Sequence, residues 1–284
     1  MKKKIEWYIW GGVIINTQIK NLYQEFIKIK ERGWIKSLFS GNNGVGLTLE
    51  SLLGISKNEL EIPDYNGIEI KSKRIKSKSY IIMFSIKPQG KYYHESKRIK
   101  DEFGYPHRIF KQYNVLNNSV YCNFKTKIGI NFYFQLEINR EKEKIYLKVY
   151  DLKGNLIEKD VYWDFDDIKE KLYRKLTFLA LFKADSKKIE KCEYFKYVSL
   201  TFYKLKDFNT FLNLLEIGII RLNFKLNIKT KGDKIGQIHD HGTSFDILEK
   251  DIPKLYDEYF VLNEWCENYT LAFYEFGLGT KKRT

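Results

Sequence analysis

The alternation of apolar and charged residues in Ile68-Glu69-Ile70-Lys71 restricts this part of the chain to a half-buried β-strand. Residues two apart in a strand point to the same face. Ile68 and Ile70 can therefore face a core, while Glu69 and Lys71 lie side by side on the opposite face. Asp64 lies five residues before Glu69. The pattern indicates either a surface ion pair or a metal site with a cation beside it.

Phosphodiester hydrolysis is one chemistry that this set of side chains can support. It needs a divalent ion at the scissile phosphate and a group that makes a water nucleophilic. Two carboxylates supply hard oxygen ligands suited to Mg²⁺, and a lysine can orient or deprotonate the water. An acid-x-Lys pair is nevertheless common, and a solvated ion pair explains most instances. The spacing alone leaves both interpretations open.

The charge balance favours a polyanionic partner. Lys and Arg total 50 against 36 Asp and Glu, which gives a formal net charge of +14. An excess of this size favours nucleic acid as the first candidate. The chain is also rich in Lys, Ile, Asn and Tyr, as AT-rich genomes tend to encode, so the excess can also be a compositional habit.

Cysteine usage and hydropathy favour the bacterial cytoplasm. Cys122, Cys192 and Cys266 are far apart and form no CxxC pair, so neither a disulfide framework nor a zinc knuckle is expected. The first residues loosely resemble a signal peptide, but Glu6 and Gly11-Gly12 interrupt the apolar run, and we interpret it as the entry to the fold. No apolar run approaches the roughly 18 residues of a membrane helix.

Hydrophobic periodicity predicts strands mixed with helices of varied length. Thr17 is expected to cap the first helix and Gly33 to end it, and Gly154 suits a hairpin turn. Helices are predicted over 18–32, 47–54, 91–104, 164–176 and 206–218, with a short one near Pro253. Further strands are predicted over 80–86, 131–138, 144–151, 155–163, 177–185, 193–205 and 219–230. The fold class is α/β or α+β with a mixed sheet and two lobes.

Two segments, 41–55 and 58–88, carry a family resemblance. They contain GNNGVG at 41–46, Thr48-Leu49-Glu50, Pro63-Asp64 and GIEIKSKR at 67–74. In order and spacing these resemble the MvaI/BcnI family of restriction endonucleases, which belongs to the PD-(D/E)xK superfamily and is related to the mismatch-repair nicking enzyme MutH. The resemblance implies a restriction-endonuclease-like core, in which a central mixed sheet is flanked by helices. It also implies two lobes around a DNA cleft, a catalytic lobe at 1–165 and a DNA-recognition lobe at 166–284.

The resemblance also implies roles for individual residues. Asp64, Glu69 and Ile70 are expected to hold the metal, Mg²⁺ with Mn²⁺ as a substitute, and Lys71 to position the water. Glu50 matches an acid that helps to shape or charge the same site, and its alternative is a helix-surface acid. Three further residues are expected to contact DNA, the two basic ones through its backbone: Asn43, Lys73 and Arg74.

A second constellation lies in HDHGTSF at 239–245. His239 and His241 sit two apart on one strand face, so a metal site and a stacked core pair are both possible from the residues alone. The family carries a near-identical segment in the lobe that reads bases in the major groove. The resemblance therefore implies base contacts by the following residues: Asn223, Lys225, His239, Asp240, His241, Thr243 and Asp246.

Two positions depart from the family pattern. Asn223-Phe224-Lys225 stands where family members have Asp-x-Arg, and Asp246 stands where they have Arg. Arg and Lys pair with guanine, Asn with adenine, and Asp accepts from cytosine. The target is therefore expected to differ from the CC(W or S)GG sites of the best-known relatives.

The resemblance implies a monomeric, Mg²⁺-dependent type II restriction endonuclease that cuts double-stranded DNA at a short specific site and leaves 5′-phosphates. A cognate DNA methyltransferase is expected in the same system. The alternatives are a MutH-like nickase and a catalytically silent DNA-binding protein. The resemblance is thin over 91–165, where His94 and His107 are expected either to approach the DNA or to be exposed polar residues.

Overall fold

The computed structural model describes residues 2–55, 62–240 and 242–262. The helices are α1 (Lys2–Glu31), α2 (Gly44–Leu52), α3 (Glu95–Phe103), α4 (Phe165–Lys175), α5 (Phe208–Glu216) and α6 (Ile252–Leu255). The first nine strands are β1 (Ile35–Lys36), β2 (Glu69–Arg74), β3 (Tyr80–Ser85), β4 (Tyr105–Pro106), β5 (Asn114–Val115), β6 (Ser119–Val120), β7 (Thr126–Ile128), β8 (Phe132–Asn139) and β9 (Lys144–Tyr150). The others are β10 (Leu156–Asp164), β11 (Phe178–Ile189), β12 (Cys192–Leu205), β13 (Arg221–Asn223), β14 (Leu226–Ile228), β15 (Ile238–Asp240), β16 (Ser244–Leu248) and β17 (Tyr256–Leu262).

A mixed sheet forms the centre of the molecule, in the order β1-β12-β11-β2, with β17 pairing a second stretch of β12. β2 runs parallel to β11, with Glu69 opposite Leu179, whereas the other pairs are antiparallel. β11 is buried on both faces: Ala180 and Phe182 join the core under α1 and α2, while Leu179 joins the larger core on the other side. The predicted mixed sheet flanked by helices is confirmed.

A second sheet has the order β3-β16-β13-β6. It is linked directly to the first sheet, because only a short turn separates β2 from β3 in the sequence. A third, antiparallel sheet has the order β10-β9-β8-β7. Its β9–β10 turn contains Gly154 at φ +88°, which confirms the predicted hairpin. Since β2 pairs with β11 and β3 with β16, the segments 1–165 and 166–284 share both the first and the second sheets. Strand pairing therefore joins the two predicted lobes through both sheets.

The first helix is longer than predicted. It begins at Lys2, so Thr17 lies inside it and the expected cap at this residue is wrong. No proline interrupts the preceding residues, and glycine pairs such as Gly11-Gly12 cost helix stability without forbidding a helix. The predicted end is confirmed, because Gly33 has φ +66° and donates its N–H to the carbonyl of Lys30 at 3.1 Å.

Two other predicted elements differ from the structure. The predicted strand over 219–230 is two short strands, β13 and β14, because Phe224 between them is fully buried and donates its N–H to Asn118 on another segment. The helix predicted over 91–104 begins only at Glu95, whose buried carboxylate accepts the N–H of Tyr92 at 2.8 Å and holds the preceding residues in a turn. In the part of the chain described here, no helix is long and apolar enough to cross a membrane.

Candidate active site

Four residues predicted for catalysis line one cleft of about 530 Å³ between α2, β2 and β3. They are Glu50, Asp64, Glu69 and Lys71. Glu50 lies on α2, whereas Glu69 and Lys71 lie on β2, an edge strand of the central sheet. The structure therefore brings together residues that the sequence spreads over two elements and a turn.

A tight turn places Asp64 beside β2. Tyr65 and Ile68 exchange two backbone hydrogen bonds of 2.9 Å, and Asn66 and Gly67 between them have φ of +44° and +93°. Asn-Gly is the dipeptide most favoured in such two-residue turns, because both positions need positive φ. The chain thus folds back on itself, and Asp64 Oδ2 accepts the N–H of Ile70 at 3.0 Å.

Glu69 is buried, with 1% of its surface exposed, yet it has two cationic neighbours. The Nζ atoms of Lys71 and Lys175 lie 2.6 and 3.5 Å from its Oε1. Burial raises the pKa of Glu69, and the charge of Asp64 adds to that rise, whereas the two lysines lower it. Its Oε2 is also buried and has no hydrogen-bond partner among the described residues. One oxygen of this carboxylate is therefore left for a group outside the protein.

Lys175 also lines the cleft, although no motif in the sequence points to it. It is the last residue of α4, where a lysine is unremarkable because cations are favoured at helix C-termini. It reaches the site because α4 leads into β11, and the parallel pairing of β11 with β2 places Leu179 opposite Glu69. No local sequence pattern indicates that Lys175 lies near Glu69.

The cleft suits a hard divalent ion. Asp64 and Glu69 supply carboxylates, and Glu69 Oε2 lacks a partner among the described residues. In an extended strand the N–H and C=O of one residue project to the same side. The carbonyl of Ile70 therefore projects from the same edge of β2 as its N–H, which donates to Asp64. Within the described ranges no group of three or more His, Cys, Asp or Glu side chains can hold a metal. Mg²⁺ commonly takes one or two carboxylates and keeps several waters, so the residues present fit it.

Glu50 is held near this cleft by close packing of α2 on β2. A Cβ at Gly46, one helical turn earlier, would lie 3.3 Å from Ser72 Oγ and 3.9 Å from Glu50 Oε1. A side chain at 46 would therefore crowd Ser72 on β2. Glu50 lines the cleft, which goes against the alternative of an acid on an outer helix surface.

The three residues expected to contact DNA near the cleft differ in their surroundings. Lys73 is buried, donates to the carbonyl of Ser79 at 2.8 Å and pairs with Glu249 at 3.4 Å. Arg74 binds both oxygens of Glu193 at 2.8 and 2.9 Å, and the two basic side chains therefore have protein partners already. Asn43 begins α2 without a side-chain cap bond and lines the cleft.

The predicted base-contacting residues on the second sheet form a polar cluster. Asp246 is 1% exposed, and its Oδ1 accepts the hydroxyl of Ser244 at 2.6 Å. Lys225 Nζ donates to Ser244 Oγ at 2.7 Å and lies 4.0 Å from Asp246. Arg221 lies 3.7 Å from Asp246 Oδ2, and Asn223 accepts from Ser119 at 3.3 Å. Asp246 thus faces this cluster rather than an open surface.

The remaining residues of the HDHGTSF segment are split between surface and core. His239 is exposed on β15, opposite Asn227, whereas Thr243 is buried and its carbonyl accepts the N–H of Ile86 at 2.9 Å. Asp240 accepts the N–H of Gly242 at 2.7 Å, which shapes the turn between β15 and β16. His241 lies outside the described residues.

Burial opposes charge on the acid and on the lysine of this cluster. It raises the pKa of Asp246, against the effects of Ser244, Lys225 and Arg221, which lower it. Burial likewise lowers the pKa of Lys225, and Arg221 adds to this, whereas Asp246 opposes it. Pairing with each other therefore stabilises the charged forms of Asp246 and Lys225.

Comparisons with known proteins agree on one relationship. The model of the MvaI/BcnI restriction endonuclease family matches residues 23–256. A solved structure of the complex of restriction endonuclease MvaI with its cognate DNA substrate is 27% identical, with a TM-score of 0.78, over 86% of this chain and 97% of that one. MvaI in the absence of DNA is 25% identical over the same shares, with a TM-score of 0.55. The present arrangement is thus more similar to the DNA complex. No curated protein sequence gives a significant match.

Proposed function

Because this chain belongs to the MvaI/BcnI restriction endonuclease family and is a type II site-specific endonuclease, we propose that Asp64, Glu69 and Lys71 form its hydrolytic centre. The substrate is double-stranded DNA with a short specific site, the metal is Mg²⁺, and the products carry 5′-phosphates. The observation that carries this proposal is the buried Oε2 of Glu69 beside Asp64, which has no hydrogen-bond partner in the described part of the chain.

The carboxylates and the lysines have separate tasks in hydrolysis. Held by Asp64, Glu69 and the carbonyl of Ile70, a bound Mg²⁺ would polarise the phosphate and lower the pKa of a water. Lys71, 2.6 Å from Glu69 Oε1, presents an ammonium group that orients this water and offsets phosphate charge. Lys175 adds a second positive charge at the same carboxylate.

The direction of attack determines the products. Water positioned by Lys71 attacks phosphorus in line with the 3′-oxygen, and the bond from phosphorus to that oxygen breaks. The phosphate therefore stays on the 5′ end of the downstream fragment. Glu50, which lines the cleft, adds negative charge on the side of α2 and completes the acidic wall of the site.

In this proposal the base contacts in the major groove are made by Asn223 of the second sheet, by Lys225, which follows it, by His239 of β15 and by His241. Lys225 presents a donor to guanine, and Asn223 is suited to adenine. One set of catalytic residues cuts one strand at a time, so a monomer that binds again for the second strand is expected. A cognate methyltransferase protects the host site.

Plasmid cleavage tests the proposed function. Supercoiled plasmid incubated with the full chain and Mg²⁺ is expected to become linear, with ends that map to one repeated short sequence carrying 5′-phosphates. The Asp64→Ala variant is expected to bind DNA and leave the plasmid intact. Open circles without linear product would indicate the MutH-like nickase, and uncut plasmid at every metal concentration would indicate the catalytically silent DNA-binding protein.

A further inference from the structure

A second groove adjoins the catalytic cleft and has no role in the proposed hydrolysis. This flanking groove, of about 640 Å³, is formed by three segments: 37–42 between β1 and α2, the turn at 74–79, and the hairpin at 188–193. Four residues line both the groove and the cleft: Asn42, Arg74, Ser77 and Ser79. The two depressions therefore adjoin along these four residues, and a polymer that leaves the cleft at this end meets the groove.

The lining of the flanking groove is rich in hydrogen-bond donors. It includes the hydroxyl of Ser40, the amide of Asn42 and the ammonium groups of Lys188 and Lys191. Ser77 and Ser79 also line it, with their hydroxyls bonded to each other at 2.7 Å. Both lysines are exposed, so their ammonium groups are accessible to a ligand from solution. Hydroxyls, amides and ammonium groups are the side chains that proteins use to contact phosphate oxygens.

The acid in this lining is neutralised. Glu193 receives two hydrogen bonds from Arg74, at 2.8 and 2.9 Å, and these bonds hold the pKa of its carboxyl below the usual value. Among the described residues that line the groove, Glu193 is the only acid. The ion pair cancels one charge of each sign, so Lys188 and Lys191 leave the groove with a net positive charge.

The rim between groove and cleft is fixed before any DNA binds. Arg74 lies over the ring of Phe195 at 5.1 Å and donates to the carbonyl of Asn42 at 2.8 Å. Ser37 donates to the carbonyl of Phe39 at 2.6 Å, and a Cβ at Gly44 would lie only 2.8 Å from that carbonyl oxygen. A preorganised surface loses little conformational entropy on binding.

We propose that the flanking groove holds the sugar–phosphate backbone of the DNA beyond the catalytic cleft, with Lys188 and Lys191 each against a phosphate. The proposal rests on the proposed function, because the duplex enters the groove from the catalytic cleft. A duplex that lies in the cleft must continue past one of its ends, and the groove offers it anion-binding groups there. These contacts carry no sequence information and add affinity on any DNA.

Salt dependence of binding tests this role. The full chain is titrated onto a mixed-sequence duplex long enough to span both depressions, without divalent metal, from about 50 to 200 mM salt. Each phosphate contact contributes about 0.9 to the slope of log K against log salt. The Lys188→Gln/Lys191→Gln variant is therefore expected to lower the magnitude of the slope by about 2. Its melting temperature is measured alongside, to establish that it is folded.

Two control variants separate a local contact from a general charge effect. Lys153→Gln/Lys159→Gln removes two exposed lysines of the third sheet that line neither depression, and it is expected to keep the wild-type slope. Lys187→Gln removes a neighbouring lysine that lies over Trp34 at 4.2 Å, and it is also expected to keep the slope. An unchanged slope in the groove variant, or an equal loss per lysine in the controls, overturns the proposal.

Failure of the groove proposal and failure of the proposed hydrolytic function give different experimental results. Slopes are measured without metal, whereas cleavage is measured with plasmid and Mg²⁺. If the wild type leaves plasmid uncut but the groove variant has a lower slope, the groove proposal stands and the proposed hydrolytic function fails. If the wild type cuts plasmid but the groove variant keeps its slope, the hydrolytic function stands and the groove proposal fails.

Discussion

Two buried carboxylates, one in each of the first two sheets, have closely similar surroundings but differ in whether both of their oxygens have a partner. Glu69 and Asp246 are each 1% exposed, and burial raises the pKa of both. Each lies near two cations: Lys71 and Lys175 at 2.6 and 3.5 Å from Glu69, and Arg221 and Lys225 at 3.7 and 4.0 Å from Asp246.

The difference lies in the oxygen that the protein leaves without a partner. Both cations of Glu69 approach Oε1, and Oε2 has no hydrogen-bond partner among the described residues. Asp246 has both oxygens in use, one by Ser244 and the other by Arg221. Leaving a buried charged group unsatisfied is costly. Burial and pairing therefore do not identify a catalytic carboxylate. What distinguishes Glu69 is a buried carboxylate oxygen without a hydrogen-bond partner among the described residues, which suits an external cation.

Glu69→Gln is expected to have the largest effect. It removes the proposed metal ligand and should lower the rate of cleavage by more than about 100-fold, since changes that only support a ligand cost 10–100-fold. Binding to DNA without metal should persist. Because the variant also removes a poorly satisfied buried charge, its free energy of unfolding should stay within about 1 kcal/mol of wild type or rise. Plasmid cleavage, gel shift and thermal unfolding measure the three quantities.

The matched control for Glu69→Gln is Asp246→Asn, which changes the other buried carboxylate in the same way. If Glu69→Gln unfolded the chain, or weakened DNA binding as much as cleavage, Glu69 would be structural like Asp246. The comparison between the two sites would then fail.

Asp246→Asn is expected to have the second-largest effect, on specificity rather than on chemistry. The change weakens the Ser244–Lys225 anchor, so affinity for the mapped site should fall by about 10–100-fold while affinity for unrelated DNA stays the same. The free energy of unfolding should fall by about 1–3 kcal/mol, because Arg221 and Lys225 lose their charged partner. Competition binding with cognate and scrambled duplexes measures the ratio. An equal loss on both duplexes would contradict an anchoring role.

The same contrast shows which parts of the site were predictable from sequence. Asp64, Glu69 and Lys71 lie within eight residues, and strand alternation with a tight turn determines their mutual positions. Lys175 reaches Glu69 only through the pairing of β2 with β11. Strand alternation can be read from sequence spacing, whereas strand pairing cannot. The sequence therefore predicted that the first three residues lie together, but not that Lys175 joins them.

Amphipathic residues were harder to assign than apolar ones. Lys73 and Arg74 were predicted to contact the DNA backbone, and the structure pairs them with Glu249 and Glu193, which are far away in sequence. Helix and strand positions followed from periodicity, because the apolar residues that face a core set the period. Where periodicity stops, as at Phe224 between β13 and β14, the boundary depends on contacts with other segments.

Lys175→Gln is expected to have a smaller effect than either carboxylate variant. Its Nζ is 3.5 Å from Glu69 Oε1, against 2.6 Å for Lys71, so it supports the charge of Glu69 more weakly. Cleavage should slow by about 10-fold, at the lower limit for groups that support a metal ligand. Lys175→Arg should restore most of the rate. Single-turnover cleavage at saturating enzyme separates this effect from DNA binding, and a variant as slow as Lys71→Gln would assign Lys175 a direct catalytic role.

The smallest expected effect is a dependence of specificity on pH. Burial raises the pKa of Asp246 above its ordinary value of 3.8, so its charged form is present only above the raised pKa and is lost as the pH falls through it. The charge that anchors Lys225 then disappears, and the preference for cognate over scrambled DNA should fall by up to about 10-fold. The fall should begin at a higher pH than for an ordinary aspartate. Asp246→Asn retains every histidine of the chain, so subtracting its pH profile, measured without metal, isolates the carboxyl. Parallel pH profiles for wild type and Asp246→Asn would show that the charge of Asp246 has no role in specificity. The contrast drawn between Glu69 and Asp246 would then no longer hold for Asp246.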